Sequence, residues 1–115
     1  RFIAQMYQDL LGELEELQLP PAPSNTSDHY DVYQNYELTA DNRDQLKNFL
    51  NQKNIGTLIQ WGGKGIHHFT QLGFNQKLPN TDKFFKRCIM LPMNIFISDE
   101  DVQYICEMIR LFYRK

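Results

Sequence analysis

The sequence predicts an α/β fold in which a small three-stranded sheet is covered by helices, an open sandwich. Two kinds of periodicity lead to it. Apolar residues recur every three to four positions near both ends and around residues 46–50, the spacing of a helix with one buried face. Between those stretches lie short runs, "HYDVYQNYEL", "IGTLIQW" and "CIML", whose alternation or β-branched content marks strands. A third observation concerns order: no internal repeat or low-complexity tract interrupts the succession helix, strand, helix, strand, short helices, strand, helix. A length of 115 residues fits one such domain.

The first helix is expected over residues 1–18, with Phe2, Ile3, Met6, Leu10, Leu14 and Leu17 as its apolar stripe. No capping residue or methionine precedes it, so the expectation is the tail of a helix from a longer protein, with a processed terminus as the alternative. Leu19-Pro20-Pro21-Ala22-Pro23 stops it, because proline lacks the amide donor and biases its predecessor away from helix. Residues 19–28 are then a proline-rich connector and residues 29–115 the α/β core. In "HYDVYQNYEL", Tyr30, Val32, Tyr36 and Leu38 share one strand face.

The second helix is expected to start at an Asp41 cap with Asp44 in its first turn, and to bury Leu46, Phe49 and Leu50. A second strand covers residues 55–61 and stops at Gly62-Gly63. A short helix spans residues 66–72 and closes at Gly73; another is capped by Asn80 or Thr81 and runs to Arg87. "CIML" is a third strand ended by Pro92. Ser98 and Asp101 form a capping-box-like start for the last helix, which carries Val102, Ile105, Cys106, Ile109 and Phe112 on one side.

Composition excludes several function classes. Net charge is −2, so no basic field invites nucleic acid or an anionic membrane. No apolar run approaches the roughly 20 residues of a membrane span, and no signal peptide is visible. Cys88 and Cys106 lack CxxC spacing. Two buried, reduced thiols of a cytoplasmic protein are expected, a disulfide between them being the alternative.

The chemistry concentrates in "TLIQWGGKGIHHFTQLGF". Gly62-Gly63-Lys64-Gly65 is not a P-loop, because glycine follows the lysine where serine or threonine belongs. A weaker anion contact by Lys64 or the loop amides stays open. A lysine between glycines is exposed and mobile, which argues against a Schiff-base amine. His67 and His68 are adjacent, so on a helix they point about 100° apart, and no metal site is expected. One reading has one histidine facing a cleft and the other solvated; the alternative leaves both on the surface. Asp99, Glu100 and Asp101 are explained by a helix start. Tyr30, Tyr33 and Tyr36 read as core and sheet-surface residues, and Met90 and Met93 as core filler. No nucleophile–base pair or cofactor fingerprint is complete.

Two stretches carry a resemblance. "NRDQLKNFLNQKNIGTLIQWGGKGIHHFTQLGF" and "LPNTDKFFKRCIMLPMNIFISDEDVQYICEMIRLFY" resemble the C-terminal part of the pyridoxal-phosphate-dependent sugar aminotransferases of the DegT/DnrJ/StrS family. The likeness runs from about Arg1 to Tyr113. It implies a mainly antiparallel three-stranded sheet, like the small C-terminal domain of fold-type I aminotransferases. It implies amino transfer, usually from glutamate, to a nucleotide-linked keto-sugar, as in polysaccharide or antigen biosynthesis. The cofactor would be bonded to a lysine of a larger N-terminal domain, so no catalytic residue is expected in this chain, which alone would bind no cofactor and be inactive.

The implied partners are that cofactor domain, a second subunit of a homodimer and the nucleotide sugar. In the family the loop after the Gly-Thr strand reads His-Tyr-Pro and then carries a second histidine. Here Gln60 and Trp61 stand at His-Tyr, Gly62 replaces the proline and His67 falls at the second histidine, with His68 one position away. The resemblance therefore implies Gln60, Trp61, Lys64 and His67 as substrate-binding residues of a loop over the active site. A non-catalytic interaction module or a small-ligand-binding module is the competing reading, because the first and last helices carry apolar stripes that could meet a partner.

Overall fold

The computed structural model describes residues 1–114. Its elements are α1 (Phe2–Leu11), β1 (Leu17–Gln18), β2 (Tyr36–Ala40), α2 (Arg43–Gln52), α3 (Pro79–Arg87), β3 (Cys88–Leu91) and α4 (Asp99–Tyr113), with three short 3₁₀ turns between α2 and α3. The strands form one antiparallel sheet in the order β1-β2-β3. Leu17 pairs with Ala40, and Tyr36 with Leu91. The architecture is the expected small antiparallel sheet with helices, although one of its three strands is not among those expected.

That strand is β1. The expected helix over residues 1–18 ends at Leu11, and Leu17 and Gln18 instead pair with Ala40 and Thr39. The Asp41 amide donates to the Glu16 carbonyl at 2.9 Å, which continues the ladder and holds this segment extended. Within α1 the buried residues are Ala4, Tyr7 and Leu11, a face turned from the expected stripe. Phe2 lies exposed, while Ile3, Met6 and Leu10 pack only at the edge. Contact with α4 sets this rotation: Arg110 of α4 donates to the Leu10 carbonyl at 3.0 Å and meets Glu13 at 2.5 Å, so it satisfies the end of α1.

Tyr7 joins the layers. Its ring lies 4.8 Å from that of Tyr36 on β2, and its hydroxyl donates to the Pro92 carbonyl, just past β3, at 2.6 Å. Tyr36, Leu38 and Ala40 are the buried face of β2. They join Leu46 and Leu50 of α2 and Val102, Ile105, Cys106 and Ile109 of α4 in one apolar cluster.

The expected strand face of Tyr30 and Val32 does not form, and both side chains are exposed. Tyr33 takes a left-handed backbone (φ 51°), which ends any extended run before Tyr36. Asp31 accepts from the Tyr33 amide at 2.7 Å, and the Tyr33 hydroxyl donates to the Pro21 carbonyl at 2.5 Å. The connector is thus folded back on itself rather than paired. The expected strand over residues 55–61 shrinks to a single bridge between Leu58 and Met90. Lys47 takes the Thr57 carbonyl at 2.7 Å, and the backbone turns left-handed at Trp61, so neither end can extend the pairing.

Asp41 does not cap α2; the cap is Asn42, in the left-handed region, and Asp41 instead accepts from Arg87 at 2.7 Å. α3 starts at Pro79, before the expected Asn80 or Thr81, with proline in its first turn, where the missing amide is harmless. Ser98 and Asp101 make the full capping box at α4: Ser98 Oγ accepts from the Asp101 amide and Asp101 Oδ2 from the Ser98 amide. Both cysteines are free and buried. Burial pushes the Cys88 thiol up, and Cys106 up to about 12.

The box makes two measurable demands. Ser98→Ala removes the acceptor for the Asp101 amide and is expected to lower stability by about 1 kcal/mol in urea denaturation. Asp101 is held below its usual 3.8, first by the Ser98 amide and then by its hydroxyl. A depressed folded value means the ionised form favours the fold. Its contribution is complete above the unfolded value near 3.8 and is lost as pH falls through the folded one. Asp101→Asn is expected to flatten the acid limb of the urea midpoint below about pH 4.

Candidate functional site: the loop between α2 and α3

The loop over residues 55–78 is built from turns rather than regular structure. Ile59 is extended, then Trp61 (φ 52°, ψ 28°), Gly62 (φ 63°) and Gly63 (φ 76°) follow in the left-handed region. Glycine takes that conformation freely. A tryptophan does not, and a bulky residue there is strained. The Gly62 amide donates to Ile59 and the Lys64 amide to Trp61, at 3.1 and 3.3 Å, so the tip is a closed turn. Its consequence is a large ring held in solvent: Trp61 is 77% exposed. Lys64 is exposed beside it, and Gln60 is half-buried at the base.

Beyond the tip, residues 66–72 form two 3₁₀ turns rather than one short helix, closed by Gly73 (φ 87°) as expected. Both histidines nevertheless meet one residue of α3. His67 Nε2 lies 2.6 Å and His68 Nε2 2.9 Å from the same oxygen, Asp82 Oδ1. The two rings sit 3.9 Å apart. His67 is buried (7% exposed) and His68 is the one at the surface. Asp82 belongs to the first turn of α3, where the helix dipole favours an anion. The hydrogen bond from His67, before all other influences, holds its carboxyl below the usual range.

The tautomers follow from the neighbours. The Gly65 amide donates to His68 Nδ1 at 3.0 Å. That nitrogen therefore carries a lone pair, and Nε2 carries the proton given to Asp82. The three side chains lie close enough for a metal ion, with ligand atoms within 4.8 Å. A metal-bound imidazole, however, needs a proton on its second nitrogen to donate outward, and His68 Nδ1 already faces a donor. The donor set fits a carboxylate holding two N–H groups better than a metal centre. His67 Nδ1 is buried without a partner. An ideal Cβ on Gly65 would come within 2.8 Å of it and 2.7 Å of Cε1, so only glycine lets this ring in.

Two hollows flank the loop and share Phe85 as a wall. One, of about 430 Å³, is lined by Arg43, Ile59, Gly62, Gly63, His68, Asp82 and Lys86. The other, of about 580 Å³, is apolar and lined by Trp61, Lys64, Gly65, Ile66 and Phe69. Arg43 is buried, donating to Asp44 at 2.7 Å and to the Cys88 carbonyl at 2.5 Å. No pattern in the sequence marks Arg43, Asp82 or Phe85 as functional. Asp82 stands fifteen positions from His67, and nothing local announces their meeting.

A family model for DegT/DnrJ/EryC1/StrS aminotransferases matches residues 1–110. The chain belongs to that family. A curated relative, the pleiotropic regulatory protein of Geobacillus stearothermophilus, is 32% identical over 80% of this chain and 26% of its own length. A solved DegT/DnrJ/EryC1/StrS aminotransferase from Brucella abortus is 26% identical with a TM-score of 0.83, over 99% of this chain and 30% of that one. The aminotransferase TlmJ from Streptoalloteichus hindustanus shares the fold, with a TM-score of 0.86 at 24% identity, over 99% of this chain and 30% of its own. The chain thus spans less than a third of the length of these relatives. Among its described residues no helix is long and apolar enough to cross a membrane.

In this family member the loop's packing can be tested directly. Gly65→Ala is expected to destabilise the fold by about 1–3 kcal/mol in urea denaturation, the range for overpacking a filled site. Asp82→Ala is expected to leave two imidazole N–H groups without their acceptor and to lower the thermal midpoint.

Proposed function

We propose that this chain is the C-terminal part of a cytoplasmic, pyridoxal-phosphate-dependent sugar aminotransferase. In this reading the parent moves an amino group, from glutamate or a similar amino acid, to a nucleotide-linked keto-sugar. The chain's tip over residues 60–64 covers the substrate. One observation carries the reading: a strained turn spends backbone energy to hold Trp61 out in solvent beside a free cation. Strain of that kind is retained where a site uses it. The Trp61 ring offers a stacking surface for a sugar or base, Lys64 a point charge for a diphosphate, and Gln60 a hydrogen-bonding amide. His67 is buried behind the tip, so its part is support rather than contact.

The surface favours a chain that is completed by other protein. Its 8084 Å² exceeds by about a fifth the roughly 6600 Å² expected for a compact 13.7 kDa monomer. Ile95 and Phe96 are 91% and 88% exposed, which fits an apolar rim covered by the remainder of the parent or by a second subunit. The residues present do not fit pyridoxal phosphate. Lys47 is engaged by Thr57, Lys53 lies over the Phe49 ring, and Lys64, Lys77, Lys83 and Lys86 stand in solvent, so none of the described lysines is the desolvated amine that Schiff-base chemistry requires. The cofactor, which supplies an electron sink for amino transfer, belongs to the parent's other domain in this reading. A streptococcal neighbour of the same fold, the putative sugar aminotransferase Spr1654, is described in a PLP form.

Borohydride reduction of the full-length parent followed by mass mapping is expected to place the cofactor adduct on a lysine outside this chain. Trp61→Ala and Lys64→Ala are each expected to raise KM for the nucleotide sugar about tenfold, a loss of about 1.4 kcal/mol, with cofactor absorbance unchanged. An adduct on Lys64, or unaltered kinetics in both variants, overturns the reading.

A further inference from the structure

We infer that Asp82 is a positioning residue that latches the substrate loop to α3. The inference rests on the proposed function for its kinetic consequence, and on geometry alone for the latch. The route is continuous. One oxygen of Asp82 accepts from His67 Nε2 at 2.6 Å and lies 2.9 Å from His68 Nε2 in an ion-pair contact. His68 Nδ1 accepts in turn from the Gly65 amide at 3.0 Å. Gly65 follows Lys64, so two contacts through His68 join the first turn of α3 to the backbone beside the tip, and His67 anchors the same loop to Asp82 directly.

Three of the four ring nitrogens of the pair are engaged by this arrangement. Both Nε2 atoms face the carboxylate, His68 Nδ1 faces the Gly65 amide, and His67 Nδ1 is buried. No exposed ring nitrogen is left unengaged to bind substrate or carry its proton. The adjacent histidines, which look like a reactive pair in the sequence, are spacers between a carboxylate and a glycine amide. Hydrogen bonds to an ionised acceptor are stronger than neutral ones, and Asp82 at a helix start is kept ionised by the same contacts. Removing it frees both rings at once and releases Gly65, while Trp61 and Lys64 keep their own chemistry.

The test uses the full-length parent with its cofactor bound. In Asp82→Ala, KM for the nucleotide sugar is expected to rise five- to twentyfold while kcat changes less than twofold. Asp82→Asn, which keeps an acceptor oxygen, is expected to stay within threefold of the native KM. Adding His68→Ala to Asp82→Ala is expected to produce no further loss, because both act through one connection. Nitrogen-15 spectra of the histidine rings test the latch without reference to activity. His67 and His68 are expected as Nε2–H tautomers in the native protein, and as exchanging mixtures in Asp82→Ala. Native ring shifts retained in Asp82→Ala overturn the latch. Strictly additive losses in the double variant overturn the positioning role. Native ring shifts lost in a parent without aminotransferase activity support the latch and sink the enzymatic reading instead.

Discussion

Strands of two, five and four residues do not make a sheet that stands on its own. What holds this one is Tyr7. It is fully buried, stacks on Tyr36 of β2 and donates to the carbonyl of Pro92 beyond β3. A single side chain from α1 thus fixes the central strand and the exit of its neighbour. Its hydroxyl is satisfied inside the protein, which is the condition for burying a tyrosine. Desolvation holds its ionisation well above the ordinary range, so it serves as a neutral donor throughout ordinary conditions. α4 then packs on α1, with Arg110 on the Leu10 carbonyl, and the remaining helices follow.

Where local chemistry decides, the sequence is legible. The Ser98–Asp101 box, the "CIML" strand, the end of α3 at Arg87 and the Gly73 closure all stand where their residues say. What could not be read depends on distant partners. β1 is two residues long and exists only because β2 lies beside it. The residues from 55 to 61 have strand propensity, but Lys47 and a left-handed Trp61 override it. The face of α1 is chosen by α4. At the candidate site, the sequence singles out this loop, with Trp61 and Lys64 at its tip. It misses the convergence of the histidines, because their common partner, Asp82, lies on α3 fifteen positions from His67.

Family membership and the physics of the surface address different questions. The match over residues 1–110 establishes the lineage. The exposed apolar side chains on the loop and before α4, together with a surface too large for the mass, suit a body designed to be covered. The loop lies between two hollows of different character. One is lined by Arg43 and Lys86, and the other by Trp61, Ile66 and Phe69. A ligand with a charged segment and a flat or apolar one suits such a divided surface.

The native thiols offer a practical consequence. Cys88 and Cys106 are both buried and free, with ionisation pushed upward. Since thiolate is the form that reacts with alkylating dyes, neither competes for a maleimide in the folded molecule. A cysteine introduced on the exposed rim of the loop would accept a fluorophore with little background from this segment, and would report on the surroundings of Trp61 alone.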